Sequence, residues 1–157
     1  MRKIIIVPLM CICAFGLCAC STTSSNSTEN RTYKTQNANS ALEYSVYMNK
    51  QITVYTNQLT THMTLLQNSD NTYKNIIPLA EESLNILQTT LDEVIITYPS
   101  FEAEDDRETT ITLMETTIKN MEDYIATLKE GKSAIDFIDK FQNDYFALTG
   151  MASLYYK

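Results

Sequence analysis

Residues 73–98 read YKNIIPLAEESLNILQTTLDEVIITY, the most regular stretch in a chain of 157 residues. Within it Tyr73, Ile77, Ala80, Leu84, Leu87, Leu91, Val94 and Tyr98 follow one another at alternating spacings of four and three. That rhythm returns side chains to one face of a 3.6-residue helix, so the segment reads as an amphipathic helix with a single apolar stripe. Period-two alternation, the mark of a half-buried strand, does not compete over any comparable length. Pro78 fits if Asn75 caps the helix, because a first-turn residue has no intrahelical hydrogen bond to lose. Pro99 closes the far end, since the residue before a proline is disfavoured in the α region.

The same rhythm continues on both sides. Upstream it runs through Ala41, Ser45, Met48, Ile52, Tyr55, Leu59, Met63 and Leu66. Downstream come Ile111, Met114, Ile118, Met121, Ile125 and Leu128, then Ala134, Ile138, Phe141, Tyr145, Leu148, Ala152 and Tyr155. Asp105 with Glu108 resembles a capping box, and Gly131 followed by Ser133 and Asp136 reads as a helix stop and a fresh start. The expected helices are 41–68, 75–98, 106–130 and 134–156, each roughly 35–42 Å long at 1.5 Å per residue. Matched lengths and short joints favour antiparallel neighbours, so the fold class is all-α, an up-down-up-down four-helix bundle. A helical hairpin that oligomerises through narrow seams is the competitor. Three glycines in the whole chain leave little room for phosphate-cradling loops or a many-turned sandwich.

The N-terminus has a different character. Met1-Arg2-Lys3 is basic, and residues 4–19 are almost wholly apolar, yet shorter than the roughly 20 residues that span a bilayer as a helix. All four cysteines lie in this region, at Cys11, Cys13, Cys18 and Cys20. A basic start, an apolar run and a small-residue end describe a secretory signal. Leu17-Cys18-Ala19-Cys20 resembles the lipobox of bacterial lipoprotein precursors, with an aliphatic residue at −3, small residues at −2 and −1, then cysteine. The resemblance covers residues 1–20 only. It implies that Cys20 receives diacylglycerol and that cleavage falls just before it. Cys18 departs from the usual serine or alanine but is similarly small.

Three parts follow: a signal peptide at 1–19, a lipidated N-terminus and linker at 20–40, and a helical domain at 41–157. Residues 21–40, STTSSNSTENRTYKTQNANS, hold only Tyr33 and Ala38 as apolar side chains. Such a segment cannot offset its ordering entropy by burial and is expected to act as a flexible tether, with a typical span of roughly 25 Å. Loss of Arg2 and Lys3 with the leader leaves ten basic against 19 acidic residues, a formal charge of −9. That argues against nucleic acid and offers no electrostatic help toward anionic lipid, so acyl chains must supply the membrane attachment. The mature chain keeps no cysteine beyond the acylated one, which rules out a disulfide core, a thiolate nucleophile and a cysteine metal site.

Candidates for chemistry are few. His62 is the only histidine and reads as a core-edge side chain. A di-iron bundle needs Glu-x-x-His on two helices, which this chain lacks. Glu102, Glu104, Asp105, Asp106 and Glu108 form an acidic run without the calcium-loop pattern, and they favour the positive end of the third helix. Glu81-Glu82 and Asp92-Glu93 are carboxylate pairs of the kind a glycoside hydrolase uses, though adjacent acids on an acidic helix usually form a wet face. The first helix is charge-poor, with only Glu43 and Lys50. On an ideal wheel Tyr47, Val54 and Leu65 fall on one line away from its apolar stripe, a candidate partner-binding line. Phe146 and Ile135 on the last helix could extend a contact surface or line a ligand cleft. The sequence therefore reads as an extracytoplasmic, membrane-anchored lipoprotein. Its helical domain binds a protein or envelope component, without catalysis, cofactor or metal. A small apolar ligand held between the helices is the alternative, and a carboxylate hydrolase a distant third.

Overall fold

Residues 41–68 contain neither glycine nor proline, and they form one uninterrupted helix, α1 (Ala41–Asn68). The computed structural model describes residues 36–37, 41–68, 73–98 and 104–155; the lipobox residues Leu17, Cys18, Ala19 and Cys20, the acidic Glu102 and most of the tether lie outside the described residues. A 3₁₀ turn, Tyr73–Asn75, leads into α2 (Ile76–Ile96), which places Pro78 in the first turn where its missing N–H costs no bond. Then come α3 (Glu104–Lys129) and α4 (Phe137–Leu154). Each helix packs on its neighbours in sequence and α4 closes back on α1, which makes an up-down-up-down four-helix bundle. Contacts between opposite chain ends fix the antiparallel sense. Tyr47 near the start of α1 meets Thr97 just past the end of α2, and the Ser45 hydroxyl donates to the Tyr155 carbonyl.

The helices are rolled relative to their greasiest stripes. On α2 the buried side chains are Ile76, Ala80, Ser83, Leu87, Thr90 and Val94, so Leu84 and Leu91 fall to the flanks. On α3 the buried row includes Arg107, Thr110, Met114, Thr117, Met121 and Tyr124, with Ile111 and Ile118 half-exposed. On α1, Tyr44, Gln51 and His62 turn inward where the apolar pattern puts Ser45 and Met63. The interior can accept polar groups whose hydrogen bonds are made inside it. Thr90 Oγ1 donates to the Ile86 carbonyl at 2.8 Å and Thr117 Oγ1 to Leu113 at 3.0 Å. Tyr55 Oη donates across the interface to the Leu87 carbonyl at 2.7 Å. A satisfied hydroxyl can be buried at little net cost.

The boundaries differ from expectation at three places. Helix α3 begins at Glu104, so Asp105 lies within its first turn rather than capping it. Gly131 does stop α3, at φ 69°, with its N–H on the Leu128 carbonyl and the Lys132 N–H on Thr127, a Schellman closure. Ser133 does not start α4, however; a turn through Ala134 and Ile135 delays the helix to Phe137. Helix α2 ends at Ile96 instead of Tyr98, because Thr97–Tyr98 (β2) pair in parallel with Gln36–Asn37 (β1). Gln36 and Asn37 of the expected tether are thus pinned to the bundle at the α2–α3 corner. Arg107, only 5% exposed, locks that corner. Its Nε donates to the Thr97 carbonyl at 3.1 Å and its Nη2 to Ile95 at 2.6 Å, while the guanidinium lies 4.1 Å from the Tyr98 ring centroid. It neutralises the carbonyl end of α2, where orphan acceptors and the helix dipole both favour a cation.

Candidate functional site

The charge-poor half of α1 faces α4 across an open cleft of about 380 Å³. Helix α1 contributes Thr60, Met63, Thr64 and Gln67; α4 contributes Ile138, Gln142, Tyr145 and Phe146. None of these eight side chains carries a formal charge, and residues 51–68 of α1 carry none at all. Phe146 is 61% exposed and braces edge-on against Tyr145, with ring centroids 5.7 Å apart and planes at 81°. Ile135, 51% exposed, lies just before α4.

The threonines of this face bond back to their own helices, as do exposed threonines elsewhere in the bundle such as Thr89 and Thr112. Thr60 Oγ1 donates to the Thr56 carbonyl and Thr64 Oγ1 to Thr60, each at 2.8 Å, and Thr149 on α4 does the same toward Tyr145 at 2.7 Å. With their protons turned into the helix backbone, they present methyl groups and lone pairs outward. A partner that covers them strands few donors, so the surface can be desolvated cheaply. Chemically, the cleft suits an apolar side chain ringed by hydrogen-bond donors.

The partner line expected on α1 sits differently. Tyr47 and Leu65 are half-buried and pack against the core, and Val54 is half-buried beside them. The roll of α1 brings its buried face about 35° closer to this line on an ideal wheel. The Tyr47 hydroxyl lies 3.3 Å from Thr97 Oγ1; burial raises its pKa despite hydrogen bonds to Thr97 and Gln51. Phe146, expected on a shoulder of the last helix, is the more open aromatic.

His62 is fully buried, not at the core edge. Its Nε2 lies 2.9 Å from Ser83 Oγ, a serine–histidine pair of the kind a nucleophile uses. The hydrogen bonds run the other way. Ser83 Oγ donates to Gln58 Oε1 at 2.8 Å, so His62 must donate from Nε2 to Ser83, the reverse of what a general base does. Nδ1 has no hydrogen-bond partner among the described residues. The ring meets Tyr124 edge-on at 5.4 Å, and Tyr124 continues into Phe137 and Phe141. Burial lowers the His62 pKa to about 4. The triad of polar groups is a bolt between α1 and α2.

The acid pairs lie on open faces: Glu82, Asp92 and Glu93 are exposed, and Glu81 bonds Lys129 at 2.7 Å across α2 and α3. Asp105 and Glu108 are exposed on the first turns of α3. Among the described residues no group of three or more His, Cys, Asp or Glu side chains could hold a metal ion, and no helix is long and apolar enough to cross a membrane. No protein-family model, curated protein or solved structure matches the chain.

Proposed function

We propose that this chain is a lipid-anchored extracytoplasmic binding protein, held to the membrane through Cys20 and docking a protein or envelope component in the α1–α4 cleft. The observation that carries the docking role is the uncharged cleft beside an exposed Phe146, on a chain whose cleaved form would carry −9. Interface centres are depleted in charge and anchored by aromatic side chains, and this face has both properties. The α2 and α3 faces would have to bury or pair carboxylates. The anchor rests on the lipobox at residues 17–20 and on an apolar leader too short to remain as a span.

Two measurements test the two halves. Metabolic labelling with a fatty-acid probe should vanish in Cys20→Ala and persist in Cys18→Ala; label retained in Cys20→Ala removes the anchor assignment. A photo-crosslinker at Gln142, used in the native cells, should capture a discrete partner, and Phe146→Ser should abolish the capture. The cleft's volume also suits a small apolar ligand. Apolar-dye uptake by the purified chain, lost in Phe146→Ser, would favour that second reading.

A further inference from the structure

We propose that the end of the bundle where the tether enters lies against the lipid surface, with Leu42 and Val46 of α1 and Tyr98 of β2 seated among zwitterionic headgroups. The inference rests on the lipid anchor at Cys20. Among the described residues, three of the six exposed large apolar side chains gather at this end: Leu42 at 73% exposed, Val46 at 60% and Tyr98 at 38%. Leu42 and Val46 stand one turn apart on the outer face of α1, where side chains four residues apart are neighbours. Nothing in the core asks for them there.

The occupant follows from where the chain leads. Gln36 pairs with Thr97 and Asn37 with Tyr98, so the stretch that leads back to Cys20 joins the bundle at this corner, at Gln36 beside Thr97. Even at full stretch its sixteen residues reach no more than about 54 Å, at roughly 3.4 Å each. An anchor on so short a leash raises the local concentration of lipid at this end far above that of any diffusing partner. Two aliphatic side chains with a tyrosine suit the interfacial layer, where amphipathic rings settle at headgroup level. Lys50, exposed one turn beyond Val46, can lay its stem along the same line with the ammonium outward.

Charge selects the kind of surface. Glu93, Asp105 and Glu108 are all exposed around this end. A protein docked here would have to bury or pair those carboxylates, whereas a lipid surface leaves them at its wet rim. Anionic lipid would be repelled, so the surface is zwitterionic. The α1–α4 cleft then stands away from the membrane: Val46 and Thr64 are separated by roughly 27 Å of helix at 1.5 Å per residue. One end holds the lipid and the other is free to meet a partner.

The test uses the mature lipidated chain in phosphatidylcholine vesicles. After cleavage its remaining thiol, Cys20, is acylated, so Val46→Cys and Thr64→Cys each give a single site for a polarity-sensitive fluorophore. At position 46 the emission should shift to the blue and be quenched by headgroup-borne nitroxide several times more strongly than at 64. Leu42→Asn should weaken that quenching, and added anionic lipid at low salt should weaken it too. Emission at 46 as water-like as at 64 overturns the contact while leaving the anchor intact. A blue shift without lipid-borne quenching means that a second copy covers the site, and overturns it as well. Stronger quenching with anionic lipid overturns the zwitterionic assignment. A chain that fails to float with the vesicles removes the anchor, and the contact falls with it.

Discussion

His62 on α1 gives its Nε2 proton to the Ser83 hydroxyl on α2 across 2.9 Å, at a point with no solvent exposure on the histidine. Ser83 in turn donates to Gln58, so three side chains share two protons in one direction and couple the first two helices. A second proton on the ring would sit at Nδ1, which has no acceptor among the described residues. Neutral imidazole is therefore built into the fold.

This makes stability depend on pH through one residue. Burial holds the folded His62 pKa near 4, below its ordinary value of 6.5. Between those values the unfolded chain binds a proton that the folded chain does not, so stability rises with pH across the window and is fully present above it. Acidifying from neutrality to pH 4 should cost about 3 kcal/mol through this group. His62→Gln keeps a donor for Ser83 but cannot titrate. Denaturant melts of both proteins at several pH values should converge as pH falls, and parallel curves would remove His62 as the cause.

Arg107 should be the most sensitive surface-adjacent position. It satisfies the carbonyls of Ile95 and Thr97 from a site 5% exposed. Arg107→Met leaves those acceptors buried without a donor and should destabilise by about 2–3 kcal/mol. Arg107→Lys should recover only part of this, because an ammonium cannot reproduce the forked guanidinium. Hydrogen exchange would locate the damage in the last turn of α2. Protection unchanged there would mean that water replaces the side chain.

How far the sequence reveals this fold can be read from Leu84 and Thr90. The three-four rhythm places four helices correctly, because periodicity depends only on which side chains avoid water. It misplaces their rotation, because Leu84, the greasier residue, lies on a flank, while Thr90, 6% exposed, lies inside. Thr90 is admitted because the Ile86 carbonyl accepts its proton, and Thr110 because Tyr155 Oη lies 2.9 Å away. Hydropathy cannot register a partner four residues back or on another helix. The same blindness hid Arg107, whose burial depends on the carbonyl end of α2, and the cleft, which needs α1 and α4 side by side. The charge-free run at 51–68 and the aromatic Phe146 were its visible halves.

The rotation has a direct mutational reading. Leu87 is fully buried and Leu84 is not. Leu87→Ala should cost about 2–5 kcal/mol, as buried leucine truncations do, and Leu84→Ala distinctly less. Urea melts of the two variants decide the point. Equal losses would put Leu84 back into the core.

The two candidate contact surfaces separate by how stability and capture change together. Tyr47 and Leu65 pack on the core, and Tyr47 bonds with Thr97 at the corner that Arg107 also holds. Replacing Tyr47, Val54 and Leu65 by Ser, Thr and Gln should therefore destabilise the bundle by about 2–4 kcal/mol, well beyond an ordinary surface change. Phe146→Ser removes a ring that is 61% exposed and should stay within about 0.5 kcal/mol of the wild type. If docking uses the cleft, Phe146→Ser loses the crosslinked partner while melting like the parent chain. The triple variant, assayed well below its melting temperature, keeps that partner. The opposite outcome, capture surviving Phe146→Ser and lost in a still-folded triple variant, would move the contact surface to the Tyr47 line. Thermal melts and crosslinking on the same preparations resolve the two, because only a folded chain that fails to capture identifies a contact residue.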